Sequence, residues 1–278
     1  METSRNTSHY WSGAKTNKVF ARIWVDKMAS TFPNEISRAA NDTVTYYEGF
    51  RLGPGEYRKS ESIPEINIVK TDSVSRVLSY KDSKDKVCVL NFASFKEVGG
   101  KFLEGSSAQE ESLCKESTLY NVLNTQSDIY YKRLVNKDWN NLYKNEGIYS
   151  PGILFLRRIK NWDFTRCDVL SVAAPNRYAA MRYDKVSKDE NYQALYSRIK
   201  YVLDIMEDMK VDIPILGAFG CGVFAQDPIV VASIFRELIE SGDYGFKKVD
   251  FAIIDEKTCD LFKEVFEAGK EIENDIEV

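Results

Sequence analysis

Two adjacent carboxylates, Glu110 and Glu111, carry the clearest chemical suggestion in this sequence. They follow Gln109 and sit near the start of Ser107–Leu123, whose apolar spacing predicts a helix. Neighbouring helical side chains project about 100° apart, so a paired acid and base at a helix start is a feasible arrangement. A structural reading stands beside the catalytic one. Ser107-x-x-Glu110 matches a capping box, and acidic residues are favoured in a first helical turn. A helix N-terminus also lowers carboxyl pKa values, whereas a general acid needs a raised one, so burial would have to overcome that effect. Both readings stay open on these residues alone.

Two glycine-rich loops frame the pair. The first, NFASFKEVGGKFLEGSSAQEE, begins at Asn91 and Ser94 and holds Gly99 and Gly100, which permit a tight backbone path close to a ligand. The second, LGAFGCGVFAQDP, places Gly217, Gly220 and Gly222 just before a helix expected from Asp227. Its backbone N–H groups suit a diphosphate cradle. It is not a Walker loop, since no Lys-Ser/Thr follows, and it does not match Gly-x-Gly-x-x-Gly. Cys221 lies between two of these glycines, but no base is at hand to make it a nucleophile.

Composition removes several alternatives. His9 is the single histidine, in a polar N-terminal stretch, so a histidine-based nucleophile system would have to be built on that one residue, and a multi-histidine zinc site is impossible. The five cysteines are scattered and include no Cys-x-x-Cys pair, which fits free thiols in a reducing compartment. A net charge of −4 argues against direct nucleic-acid binding. No apolar run reaches the ~18 residues of a membrane span, and METSRNTSHYWSG is not a signal peptide. A cytoplasmic location with no membrane partner is expected.

The elements that must position these residues alternate. Helical spacing appears over Ala14–Met28 and from Pro33 through Val44 and Tyr47, with Gly49 as a stop. From residue 66 the pattern becomes strand, helix, strand, helix. Strands are expected at 66–72, 86–94, 152–159, 168–175, 211–219 and 248–254. Helices are expected through 74–78 and at 107–123, 187–209, 227–239 and 257–268. This is the pattern of a three-layer α/β domain, whose ligand sits outside the carboxyl ends of the strands. The two glycine loops and the carboxylate helix fall at those ends. The expected divisions are a helical extension over 1–60, a ligand-binding catalytic domain over 61–270 and an acidic tail over 271–278.

Taken in order, Asn91-Phe-Ala-Ser94, Gly99-Gly100, Gln109-Glu110-Glu111, IYSPGILFLR (148–157), VLSVAAPN (169–176) and LGAFGCGVFAQDP (216–228) resemble the microbial-type poly(ADP-ribose) glycohydrolases. The likeness spans roughly residues 15–268. It implies a macrodomain-like mixed sheet flanked by helices, with an N-terminal helical extension. It further implies a glycosidase acting on poly(ADP-ribose) or an ADP-ribosylated protein, with ADP-ribose as product and with no cofactor or metal. Glu111 and Glu110 take the catalytic positions of the family. Asn91, Ser94, Gly99, Gly100, Lys101 and Gln109 fall in the ribose-binding segment. Gly220, Cys221, Gly222, Val223 and Phe224 fall in the diphosphate loop, with Phe224 expected against the distal ribose. The family signature has three glycines after a proline, whereas this chain reads Val98-Gly99-Gly100-Lys101. A lysine there could contact phosphate or narrow the site. The departure keeps a mono(ADP-ribosyl) hydrolase in view as an alternative, beside a non-catalytic ADP-ribose reader and an unrelated nucleotide-phosphate enzyme.

Overall fold

The computed structural model describes residues 14–58, 62–134, 139–158 and 163–276. Seven strands form one mixed sheet in the order β1-β4-β5-β3-β6-β7-β2. They are β1 (Val44–Tyr46), β2 (Glu65–Lys70), β3 (Val87–Phe92), β4 (Gly147–Arg158), β5 (Asp163–Val172), β6 (Ile213–Leu216) and β7 (Lys248–Ile253). Strands β5, β3, β6, β7 and β2 run parallel, while β4 pairs antiparallel with both β5 and β1. β3 lies at the centre. Its Val-Cys-Val-Leu-Asn is buried throughout, as a strand covered on both faces requires.

Helices cover both faces. On one side pack α1 (Ala14–Thr31), α2 (Pro33–Asn41), α3 (Ser73–Leu78), α4 (Gln109–Lys115), α5 (Leu119–Thr125) and the single turn α6 (Lys132–Leu134). On the other pack α8 (Lys188–Asp208), α9 (Pro228–Glu240) and α10 (Glu256–Ile276), after a short α7 (Arg177–Tyr183). Two apolar clusters result, one on each face of the sheet. The expected three-layer α/β architecture is therefore present. No helix among the described residues is long and apolar enough to cross a membrane.

Several sequence expectations are corrected. The second helix ends at Asn41, and Val44-Thr-Tyr46 forms an edge strand on β4. β-branched and aromatic residues suit a pleated surface better than a helix end. The helix expected over 107–123 is two helices, because Ser117 leaves the helical path to bridge Phe155 of β4. The capping box at Ser107 does not form. Ala108 is the N-cap residue without a side-chain bond, and the Glu110 carboxylate points elsewhere. β4 and β5 are a long antiparallel pair with a register shift around Pro151–Gly152, where the sequence reading has two shorter strands. α10 runs to Ile276, so its helix enters the segment expected as a tail. His9 lies outside the described residues. Among the cysteines, Cys88, Cys114, Cys167 and Cys259 are buried free thiols, and Cys221 is half-buried.

Candidate active site

The site grows from the carboxyl end of β3. That strand delivers Asn91, and α4 returns to the same place with Gln109, Glu110 and Glu111. Gln109 fixes the join. Its Oε1 accepts from the Phe92 N–H at 2.9 Å, and its Nε2 donates to the Leu90 carbonyl at 2.9 Å and to Ser73 Oγ at 3.1 Å. One amide thus extends the β3 ladder and ties α4 to the first residue of α3.

Both glutamates are buried, at 4% and 6% exposure, although carboxylates are seldom so enclosed. Glu110 has both oxygens engaged. Oε1 accepts from Asn91 Nδ2 at 3.1 Å and Oε2 from the Ser94 N–H at 2.7 Å. Asn91 Nδ2 also donates to Ser171 Oγ of β5 at 3.0 Å. Burial pushes the Glu110 carboxyl up to about 8, against the lowering effect of those two donors, and the neighbouring Glu111 charge adds to the rise. The expected depression by the helix N-terminus is outweighed by desolvation. Glu111 accepts from the Lys101 N–H through Oε1 at 2.9 Å. Its Oε2 is buried with no partner, and so is Asn91 Oδ1. Buried polar atoms are ordinarily satisfied, so these two oxygens mark where a ligand's hydroxyl groups can dock.

Gly100 shows why the loop needs glycine. Its φ is +59°, and a Cβ there would lie 2.7 Å from Glu111 Oε1 and 2.8 Å from Glu110 Oε2. Both carboxyls therefore converge on the volume that a side chain would occupy. The Lys101 side chain is exposed, and it is the peptide N–H of this residue that reaches Glu111.

The loop between β6 and α9 approaches from the next strand. Within it, the N–H groups of Phe219, Cys221, Ala225 and Gln226 donate to loop carbonyls. The Cys221 N–H, which the sequence places in the backbone cradle, thus donates to the Ala218 carbonyl, and burial raises the thiol to about 12. Among the described residues, the N–H groups of Gly220, Gly222, Val223 and Phe224 are left for a ligand. Gly222 would meet nothing within 4 Å if given a Cβ, and Val223 is 84% exposed. Gln226, nearly enclosed, donates to the Pro175 carbonyl and to Asn191 Oδ1, each at 2.9 Å, so the far end of the loop is anchored.

Aromatic packing links the first loop to the second, through the buried ring of Phe95. Phe95 stacks on Tyr143 with centroids 4.5 Å apart, and Tyr143 meets Phe224 edge-on at 6.2 Å. The sequence reading passes over Phe95, Tyr143 and Ser171. A hydroxyl inside the apolar run of β5 was a readable signal for Ser171; the turn that inverts the backbone at Asn140, Asn141 and Tyr143 (all with positive φ) left no comparable trace. Of the residues singled out from sequence, Asn91, Ser94, Gly100, Lys101, Glu110 and Glu111 meet around one point, and Gln109 ties the start of α4 to β3 beside it. Gly99 underlies it, against Tyr120 and Cys114.

Comparison with known proteins gives a consistent result. Residues 22–158 match the family described as the catalytic domain of microbial-type PARG. The poly(ADP-ribose) glycohydrolase of Thermomonospora curvata superposes with a TM-score of 0.78 at 26% identity, covering 91% of this chain and all of that one. The same enzyme bound to the inhibitor ADP-HPD gives 0.76 at 26% identity, over 90% of this chain and 99% of the other. The poly(ADP-ribose) glycohydrolase of Deinococcus radiodurans in complex with ADP-ribose gives 0.74 at 27% identity, over 84% and 97% of the two chains. No curated protein matches the chain.

Proposed function

We propose that this chain, which belongs to the microbial-type poly(ADP-ribose) glycohydrolases, hydrolyses the ribose–ribose O-glycosidic bonds of poly(ADP-ribose) and releases ADP-ribose. The observation that carries the mechanism is the unpartnered Oε2 of Glu111, buried beside the space that Gly100 leaves open. Glycoside cleavage needs a proton for the leaving oxygen, stabilisation of an oxocarbenium-like transition state and an activated water. Glu111 supplies the first and the last. It protonates the departing ribose oxygen as the C–O bond breaks, then takes a proton from the water that attacks the sugar carbon. The acid is thereby regenerated.

Burial raises the pKa of the Glu110 carboxyl, and that alone would favour it as the acid. Geometry decides otherwise. Both its oxygens are held by Asn91 and Ser94, so it is placed to orient ribose hydroxyls rather than to exchange protons with the scissile bond. The free N–H groups of Gly220, Gly222, Val223 and Phe224 receive the diphosphate, whose negative charge helps offset the developing cation. Phe224, braced by Tyr143, packs on the distal ribose. Lys101 contributes its backbone.

Digestion of defined ADP-ribose polymer, beside a protein carrying a single ADP-ribose, tests this reading. Release of free ADP-ribose from polymer with little from the mono-modified protein is expected. The reverse preference would make the chain a mono(ADP-ribosyl) hydrolase, and tight ADP-ribose binding with no turnover of either would make it a reader.

A further inference from the structure

One patch near the cleft has no part in the chemistry above. Tyr178 and Tyr183 of α7 are 51% and 66% exposed. Between them Arg182, itself exposed, places its guanidinium 5.7 Å from the Tyr178 ring centroid and 5.8 Å from that of Tyr183. The acid nearest in sequence, Asp184, is engaged by the Asn141 amide at 2.7 Å. The patch is fastened to the proposed diphosphate loop. The Tyr178 N–H donates to the Phe224 carbonyl at 3.2 Å, and the Arg177 guanidinium donates to the Ala225 carbonyl at 2.8 Å.

Topology sets on which side of the central strand this patch lies. α7 follows β5, which lies beside β3 on the side away from β6. The patch therefore stands on the β5 side of the central strand, across β3 from the strand that carries the diphosphate loop. If the scissile bond lies at Glu111, the part of the polymer that departs must leave from that side. Its first unit presents an adenine ring and a diphosphate. Exposed aromatic rings stack on bases whatever the sequence, and a guanidinium is suited to bidentate pairing with phosphate. Two rings around one cation offer both contacts together.

We propose that Tyr178, Arg182 and Tyr183, held beside Phe224 by the backbone bonds of α7, form a subsite for the adenine and diphosphate of the adjoining ADP-ribose unit in a polymer. This rests on the reading of the chain as a poly(ADP-ribose) glycohydrolase and makes the polymer, rather than a single ADP-ribose on a protein, the preferred substrate.

Binding to the full-length Glu111→Gln protein tests it, with free ADP-ribose and a purified two-unit oligomer as ligands. The oligomer is expected to bind about tenfold tighter, within the range that base stacking on an aromatic ring supports. Tyr183→Ala and Arg182→Ala should each erase much of that advantage and leave the affinity for free ADP-ribose unchanged. Tyr183→Phe, which keeps the ring, should retain it. The subsite is overturned if the oligomer binds no tighter than the monomer, if the advantage survives both alanine variants, or if both ligands weaken together. It is also overturned if oligoadenylate displaces the oligomer as readily as polymer does. Failure to bind either ligand would instead remove the glycohydrolase reading, and this subsite with it.

Discussion

At the scale of single residues, the account rests on two carboxyls in different surroundings. Glu111 has one oxygen held and one free, and Glu110 has both held. Glu111→Gln keeps shape and removes the transferable proton, so turnover should fall ~10²–10⁴-fold while ADP-ribose binding persists; steady-state rates beside a binding titration check this. Glu110 gives a separate prediction about stability. Its carboxyl is raised from 4.5 to about 8 by burial, so the folded chain retains a proton that the unfolded chain releases. That contribution is fully present below pH 4.5 and is lost as pH rises through about 8. Thermal unfolding at pH 5 and pH 8 should show a smaller drop for Glu110→Gln than for the wild type. An equal drop in both would mean that Glu110 is already ionised in the folded protein. Glu110 and Glu111 were legible as a pair in the sequence, but their division of labour was not. It depends on Asn91, Ser94 and Lys101, which reach them only after the chain has folded.

At the scale of elements, the cleft depends on how α4 and the loop after β6 are moored. Gln109 satisfies the Phe92 N–H and the Leu90 carbonyl at the end of the central strand. Gln109→Leu would strand both, at a cost of about 1–3 kcal/mol for each group left buried without a partner. A lowered melting temperature together with lost activity is expected. Full activity at reduced stability would show that α4 does not need this tie. In the other loop, Gly222 is the better probe of the cradle. Gly220 has a φ of +78° and a Cβ there would lie 2.8 Å from that of Ala174, so substitution disturbs the fold itself. Gly222 has open space, and Gly222→Val should melt like the wild type yet bind ADP-ribose more weakly. Normal binding by that folded variant would remove the loop from the ligand's path. Most elements were readable because buried parallel strands are continuous apolar runs and their helices carry a 3.6-residue period. The exceptions have local causes. β1 has three residues and one neighbour, too short for a period, and the break between α4 and α5 is imposed by the Ser117 bridge to Phe155, a contact distant in sequence.

For the whole molecule, the sheet is the device that brings the site together. Residues 91–111, 143 and 220–226 are far apart in sequence, and they meet because β3, β5 and β6 are parallel neighbours that end at one edge. Strand order cannot be read from apolar runs, so the sequence could place both glycine loops at strand ends without showing that they face each other. The likeness to bacterial poly(ADP-ribose) glycohydrolases extends over most of the chain, whereas the family match stops at residue 158, before the second loop. The central claim joins that loop to the carboxyl pair in one hydrolytic site. Its most direct test is the release of ADP-ribose from defined polymer by the wild type and by Glu111→Gln, at polymer concentrations that saturate both. The account predicts steady release by the wild type and a rate at least about a hundredfold lower for the variant. Release by the variant at more than about a tenth of the wild-type rate would contradict it.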